Sequence, residues 1–369
     1  MYLTPEHQIF FQSLNIALWP QVQSDSKLIE TEDINPETLF NLALSQGVMA
    51  LTLDGLKLDL KSLDKELWLR WNMSVKKVEN RRARQCAVLR ELVTLFRSHG
   101  IELMVLKGIG ASMLYPRPDH RECGDIDIYL MGDYERGNDI IKALGIEVDT
   151  KSCKHSNFFF KGVPIENHKT FLNVNGSSID RNLDRELCRI LKEQGTDTIM
   201  LEDIPVRIPT PDFQAIFLTR HAIVHFLGLG LVCRYICDLA LFFSSMGERI
   251  NAPRFEKVMR DEGQYLLLCS FLSIGGKYLR MPHIDCPDTS FDTQKVEELA
   301  EKVLKEAFNN SSRSISKEER LKMWVVRRKL IGIKQYALSK WKYDSIRRGL
   351  FRSELFYRLA QNLHISNWR

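Results

Sequence analysis

Two aspartates one residue apart, Asp125 and Asp127, are the residues in this sequence best placed to do chemistry. They lie in Gly124-Asp125-Ile126-Asp127-Ile128, where acidic and apolar residues alternate as they do in a strand. Residues i and i+2 of a strand share a face, about 6.6 Å apart at Cα, so both carboxylates are expected to point the same way. Carboxylates held together raise each other's pKa unless a cation lies between them. Mg²⁺ suits that position, because it takes hard oxygen ligands and usually only one or two protein carboxylates. Upstream, the apolar run Leu103–Leu106 is broken by Lys107-Gly108, and Ile109 to Tyr115 reads as a short helix closed by Pro116. A glycine there permits positive φ and close backbone approach, and a helix N-terminus offers free amides to an anion. Lys107 supplies a point charge, Ser112 a hydroxyl one turn in, and Arg121 a fork for phosphate oxygens. The combination points to a divalent-metal platform beside a phosphate cradle. The competing readings are a solvated edge-strand pair, a structural turn, and a local pairing of Arg121 with Asp119 or Glu122.

Lys107-Gly108 with its short helix, then Arg121, then Asp125-Ile126-Asp127 in an apolar strand, resemble the nucleotidyltransferases of the DNA polymerase β-like superfamily. Within it they resemble a branch of uncharacterised nucleotidyltransferases, which shares the Lys-Gly opening. The resemblance covers about residues 35 to 245. It implies transfer of a nucleoside monophosphate from an NTP to an acceptor hydroxyl, with Mg²⁺ or Mn²⁺ as cofactor and pyrophosphate leaving. Asp125 and Asp127 would hold the metal, and a third acid would complete the site and act as base. Glu166 and His168 match an acid-x-His motif of the family, with His155 at a family-like position and Asp180 as the alternative third acid. Lys107, Gly108, Ser112, Arg121 and His168 would face the nucleotide. The acceptor is open: a small molecule, a protein side chain or an RNA. A rival of another class is a non-catalytic protein that keeps the fold for nucleotide or partner binding.

The elements needed to position these residues form an α+β pattern. Residues 99–209 read as a small mixed-sheet core between an all-helical N-terminal region, 1–98, and a helical C-terminal region, 210–369. The core contains the two strands already described, a helix over Tyr134–Leu144, paired strands Asn157–Phe160 and Val163–Glu166 turning at Lys161-Gly162, a helix over Arg181–Lys192, and short strands at Ile199–Leu201 and Val206–Ile208. Before it, helices are expected at Pro5–Leu18, from Pro36 with Asn35 as N-cap, at Val48–Leu56 and at Trp68–Ser98. After it come Asp212–Leu227, Val232–Phe243 and stretches near 253–280, 293–308, 316–338 and 345–362, with Pro282–Asp292 as a linker.

Composition narrows the class. The chain has 369 residues, 44% hydrophobic and 27% charged, ordinary values for a globular protein with a full core. It carries no apolar run long enough to span a bilayer and no basic-then-apolar leader. Eight scattered cysteines without a CxxC pair suit free thiols in a reducing cytoplasm. Cys233 and Cys237 share a helix face but lack a second pair to hold zinc. His221 and His225, then Arg234 and Asp238, form i,i+4 pairs on successive helices, read as inter-helix hydrogen bonds and ion pairs. Net charge is +5, yet Arg313 to Arg369 holds fifteen Lys and Arg against four acids, a balance of +11 that leaves the remainder at −6. Aromatics interleave this basic tail, so nucleic acid or an anionic surface is a possible partner. The plain alternative is aromatics in the core and cations in water.

Overall fold

The computed structural model describes residues 3–22, 34–56, 64–201, 203–228, 230–282, 293–311 and 340–346. Four helices precede the sheet, and local chemistry sets their starts. In α1 (Pro5–Leu18) Thr4 and His7 cap each other reciprocally, with Pro at the first helical position. Asn35 caps α2 (Pro36–Ser45) by accepting from the amides of Glu37 and Thr38, as its sequence position suggests. α3 (Met49–Gly55) has no side-chain cap of its own; the Met49 amide instead donates to Glu122 Oε1 at 3.1 Å, seventy-three residues away. Asp64 caps α4 (Lys65–Ser98), whose 34 residues make it roughly 50 Å long.

The sheet follows. Its strands are β1 (Met104–Val105), β2 (Ile126–Tyr129), β3 (His155–Phe160), β4 (Val163–His168), β5 (Thr196–Leu201) and β6 (Ile204–Pro209), in spatial order β3-β4-β2-β1-β6-β5. β2–β4 and β1–β6 pair parallel; the other neighbours are antiparallel. Lys161 and Gly162 both have positive φ, 48° and 75°, the two-residue turn whose twist matches a hairpin. Between strands run α5 (Ile109–Ser112), α6 (Tyr134–Ala143) and α7 (Ser178–Gln194). The short helix predicted to reach Tyr115 stops at Ser112. Beyond it the amides of Met113, Leu114 and Tyr115 bond three residues back, which is a tighter coil than an α-helix.

The remaining helices are α8 (Pro211–Gly228), α9 (Cys233–Met246), α10 (Ala252–Asp261), α11 (Tyr265–Leu279), α12 (Thr293–Ser311) and α13 (Lys340–Asp344). The single stretch expected over 253–280 is two helices, because Gly263 takes φ +68° and ends α10. A Cβ at Gly263 would lie 2.6 Å from the carbonyl oxygen of Ile346, so the break lets another segment pass. The expected linker lies outside the described residues apart from Pro282, and the expected helices at 316–338 and 345–362 lie outside them almost entirely. Of the basic tail, only 340–346 is described. There Lys342 is buried, donates to the Phe226 carbonyl at 2.8 Å and pairs with Glu306, while Tyr343 is 1% exposed. This turn contributes to the core. No helix among the described residues is long and apolar enough to cross a membrane, and the seven described cysteines are free thiols.

Helices from the two ends of the chain share one hydrophobic cluster. It joins α1–α3 and the start of α4 to α7–α13, and reaches Met104, Leu106 and Tyr115 at the sheet. A second cluster packs the far half of α4, Cys86 to Phe96, with Ile141 of α6, against the opposite sheet face through Ile126, Ile128, Phe158 and Ile165. α4 therefore belongs to both, with Trp71 in the first and Leu89 in the second.

A 3₁₀ turn at Pro118–His120 fastens the loop before β2 to this spine. His120 is buried, with Nδ1 2.6 Å from Asp54 at the end of α3 and Nε2 3.1 Å from Glu79 of α4. Burial would lower its pKa, but hydrogen bonding and attraction to Asp54, then Glu79, raise it above the ordinary value. A raised folded pKa stabilises fully below the unfolded value near 6.5, and that stabilisation fades as pH rises through the folded value. His120→Gln should therefore cost about 1–3 kcal/mol near pH 6, measured by urea denaturation. The gap to the wild type should narrow toward about pH 9; a gap independent of pH would show that the imidazole is not clamped as a cation.

Candidate active site

Strand register brings the acids together. On the adjacent parallel strands β2 and β4, Asp127 is the Cα partner of Glu166, so the two stand side by side on one face. His168 follows two residues along β4 on that same face, and His155 of β3 is paired with it. The resulting contacts are close. His168 Nε2 is 3.0 Å from Asp127 Oδ1 and 3.5 Å from Glu166 Oε2, and His155 Nε2 is 3.6 Å from that same Glu166 oxygen. The other face at this level holds Ser156 and Asn167, both bonded to Asn138 of α6 at 2.6 and 2.9 Å. That buried amide network locks the register that sets Glu166 beside Asp127.

Lys107 enters from the end of β1. Its Nζ lies 3.0 Å from Asp127 Oδ1, and its side chain is 14% exposed against 1% for the aspartate. Burial alone would raise the pKa of Asp127; Lys107, then His168, overcome it and hold the carboxyl well below the usual range. Lys107 is held above its ordinary value, because Asp127, Asp125 and Glu166 outweigh the burial that would lower it. Glu166 is likewise kept low against burial, mainly by hydrogen bonding to His168. Asp125 precedes β2 by one residue, half-buried, and its carboxyl is pushed up by burial and by Asp127.

The turn after β1 needs its glycine. Gly108 has φ +64°, and a Cβ there would lie 2.7 Å from the Cys123 sulfur. Ser112 is fully buried, and its hydroxyl donates to the Ile109 carbonyl at 2.6 Å within its own turn. Arg121 also sits away from the carboxylate cluster. Its guanidinium grips Asp238 of α9 with two bonds, 2.7 and 2.8 Å, in a site where Tyr115 donates to the same aspartate at 2.6 Å. Asp180 accepts from Arg220 of α8 at 2.8 Å and does not join Asp127.

His221 and His225 stack in one aromatic group with Tyr235, the His225 and Tyr235 centroids 4.7 Å apart. Burial and then Lys107 push His221 well below its ordinary pKa and His225 to about 4, so both are neutral at pH 7. Arg234 donates to the Glu122 carbonyl, and Asp238 serves Arg121 and Tyr115. Arg234 and Asp238 are thus split between different partners, while His221 and His225 stay together against Tyr235. Sequence reading passed over Tyr115 and Lys154. Lys154 comes directly before His155 at the head of β3, and the KH dipeptide opening an apolar strand was the available clue. Its amine is lowered by burial and Lys107, while Asp127 and Glu166 draw it up.

A divalent ion suits three of these side chains. Asp127, Glu166 and His168 each present a ligand atom within 4.8 Å of the others, with Asp125 outside that set. Asp127 Oδ2 is buried with no hydrogen-bond partner among the described residues. His168 Nδ1 lies 3.2 Å from the Thr170 carbonyl, which can only accept, so Nδ1 carries the hydrogen. Nε2 then lies between two carboxylate oxygens, where it donates a hydrogen to them without an ion and would offer its lone pair to an ion that displaced that hydrogen.

Compared with known proteins, residues 32–274 match the profile of one family, described as an uncharacterised nucleotidyltransferase. No curated protein and no solved structure matches the chain.

The Arg121–Asp238 pair ties the loop before β2 to α9, and its removal is the test of that anchoring. Asp238→Ala leaves a guanidinium buried without its partner, and should cost about 3–5 kcal/mol in urea unfolding. Tyr115→Phe removes one hydrogen bond and should cost about 1 kcal/mol. Equal losses in the two variants would show that the ion pair does not hold the loop.

Proposed function

The chain belongs to the uncharacterised nucleotidyltransferase family, and from that premise we propose that it transfers a nucleoside monophosphate from an NTP to an acceptor hydroxyl. The observation that carries this reading is the pairing of Asp127 with Glu166 across two parallel strands, with Lys107 closing on the aspartate. Asp127, Glu166 and His168 would hold Mg²⁺ or Mn²⁺, with Asp125 close by. When bound, the ion neutralises charge on the phosphates and on the departing pyrophosphate.

The chain's own residues account for the rest. Glu166 is held below the usual carboxylate range against burial, and a base must be ionised to take a proton from the acceptor. The acceptor oxygen attacks the α-phosphorus, the bond from that phosphorus to the β-phosphate bridge breaks, and the hydroxyl proton passes to Glu166. Lys107 is held fully charged and offers a cation to the triphosphate. Gly108 gives the backbone the positive-φ turn that opens α5, leaving room for Cys123, and its amide is offered to the phosphate oxygens. The Thr170 carbonyl orients His168 through Nδ1, and the neutral His221 and His225 form a wall that adds no charge near Lys107.

Calorimetry of NTP binding tests the reading. Binding should require Mg²⁺, and Asp127→Asn should abolish that requirement together with most of the affinity, Asp125→Asn doing so more weakly. Glu166→Gln should slow transfer about 10²–10⁴-fold, assayed with each labelled NTP and cell extract as the source of acceptor. Binding that ignores metal and is equal in both aspartate variants would sink the enzyme reading and leave a nucleotide-binding protein.

A further inference from the structure

Beside the carboxylate face lies a cavity of about 230 Å³, lined by the segment from Leu172 to Asp180 between β4 and the start of α7, by α8 and by Tyr343 of α13, together with Lys154. Its position next to the acids follows from the chain: Lys154 immediately precedes His155, whose Nε2 lies 3.6 Å from Glu166 Oε2, and His221 of α8 also lines the cavity. Two cations face into it with hydrogens to spare. Arg220 is 4% exposed and commits Nε to Asp180 Oδ1 at 2.8 Å, yet its Nη1 is buried with no partner among the described residues. Lys154 is half-buried, and its amine makes no hydrogen bond or ion pair among the described residues. Leaving the buried Arg220 Nη1 unsatisfied costs more than an ordinary hydrogen bond returns. Burial and Lys107 push the Lys154 amine toward its neutral form, an imbalance that an oxyanion beside it would correct.

The remaining lining defines the ligand further. Ser177 caps α7 at the rim, and Asp180 in the first turn of that helix also lines the cavity with its charge taken up by Arg220. Phe217 and Leu227 give an apolar wall. The volume falls below the roughly 300–1,000 Å³ of pockets that enclose drug-sized ligands, so it suits a small molecule rather than a nucleotide or a folded partner. Neither Gly108 nor any residue of α5 lines it, which separates it from the turn assigned to the triphosphate.

We propose that this cavity is the acceptor pocket, and that the acceptor is a small hydroxyl compound bearing a phosphate or carboxylate group. Lys154 and Arg220 hold that oxyanion, Phe217 packs against the carbon body, and the hydroxyl is left toward Glu166. This rests on the transferase reading and adds the class of acceptor to it.

The test uses the full chain, with inorganic phosphate and acetate as separate probes, titrated by calorimetry with and without a saturating mixture of Mg²⁺ and non-hydrolysable NTP analogues. One or both probes should bind at millimolar concentration, and should still bind with the analogues present. Which probe binds better assigns the oxyanion. Lys154→Met should weaken probe binding about tenfold or more, Lys154→Arg should restore most of it, and neither should alter analogue affinity or the thermal midpoint. The proposal is overturned if neither probe binds the wild type, or if Lys154→Met binds them as well as the wild type does. It is also overturned if the analogues displace the probe, which would assign Lys154 to the donor. NTP binding without metal dependence would instead remove the transferase reading, and the anion result would stand on its own.

Discussion

A carboxylate with 1% of its side chain exposed cannot remain charged without a cation against it, and Asp127 is such a carboxylate. Withdrawing a lone ionised group from water costs far more than a small domain can spare. Lys107 removes that cost at 3.0 Å, and His168 adds a second polar contact on the same oxygen. Everything near the site is arranged around this pair. β1 must end at Lys107, β2 must present Asp127 from its middle, and β4 must deliver Glu166 and His168 on the same face. The parallel pairing of β2 with β4 is what makes all three possible at once.

The surrounding framework keeps that geometry from relaxing. The loop between α5 and β2 has little regular structure, so it is held by side chains that reach distant helices. His120 spans α3 and α4, Arg121 and Tyr115 converge on Asp238 of α9, and Glu122 receives the first amide of α3. Four anchors on one short segment connect the helices before the sheet in sequence with those after it. Those helices in turn share a single apolar cluster, so the sheet segment sits between two stretches of chain that close on one another in space. Where the backbones cross most tightly, small residues allow it: a Cβ at Gly55 in α3 would fall 1.8 Å from the Ser13 carbonyl oxygen of α1.

Charge is distributed in the same economical way. His221 and His225 lie within reach of Lys107 yet stay neutral, because burial and neighbouring cations both disfavour protonation. The cation in contact with the acids is Lys107, while Lys154 and Arg220 line the cavity beside them. Buried Cys233 and Cys237 keep their thiols protonated for the related reason that burial resists the thiolate, so they serve packing. The neighbouring residue types look alike in sequence, and environment gives them different roles.

Local signals determined the elements. The Asn35 cap, the Lys161-Gly162 turn, the alternation through Asp127 and the glycine at 108 all act within a few residues of themselves, so their consequences can be read from the chain alone; the long helix, expected from Trp68, begins one turn earlier behind Asp64. The acid-x-acid and acid-x-His spacings were legible for the same reason, since strand geometry fixes which residues share a face. Partnership across long separations was not. Arg121 has the right chemistry for a phosphate, but an aspartate 117 residues later, on a helix placed by core packing, takes its guanidinium. Ser112 turned inward to its own backbone, and Asp180 went to Arg220, because each side chain bonds whatever the folded chain sets within 3 Å. Which carboxylate stands beside Asp127, and which cations are left facing a cavity, depend on strand order and helix docking, and only the tertiary structure decided them.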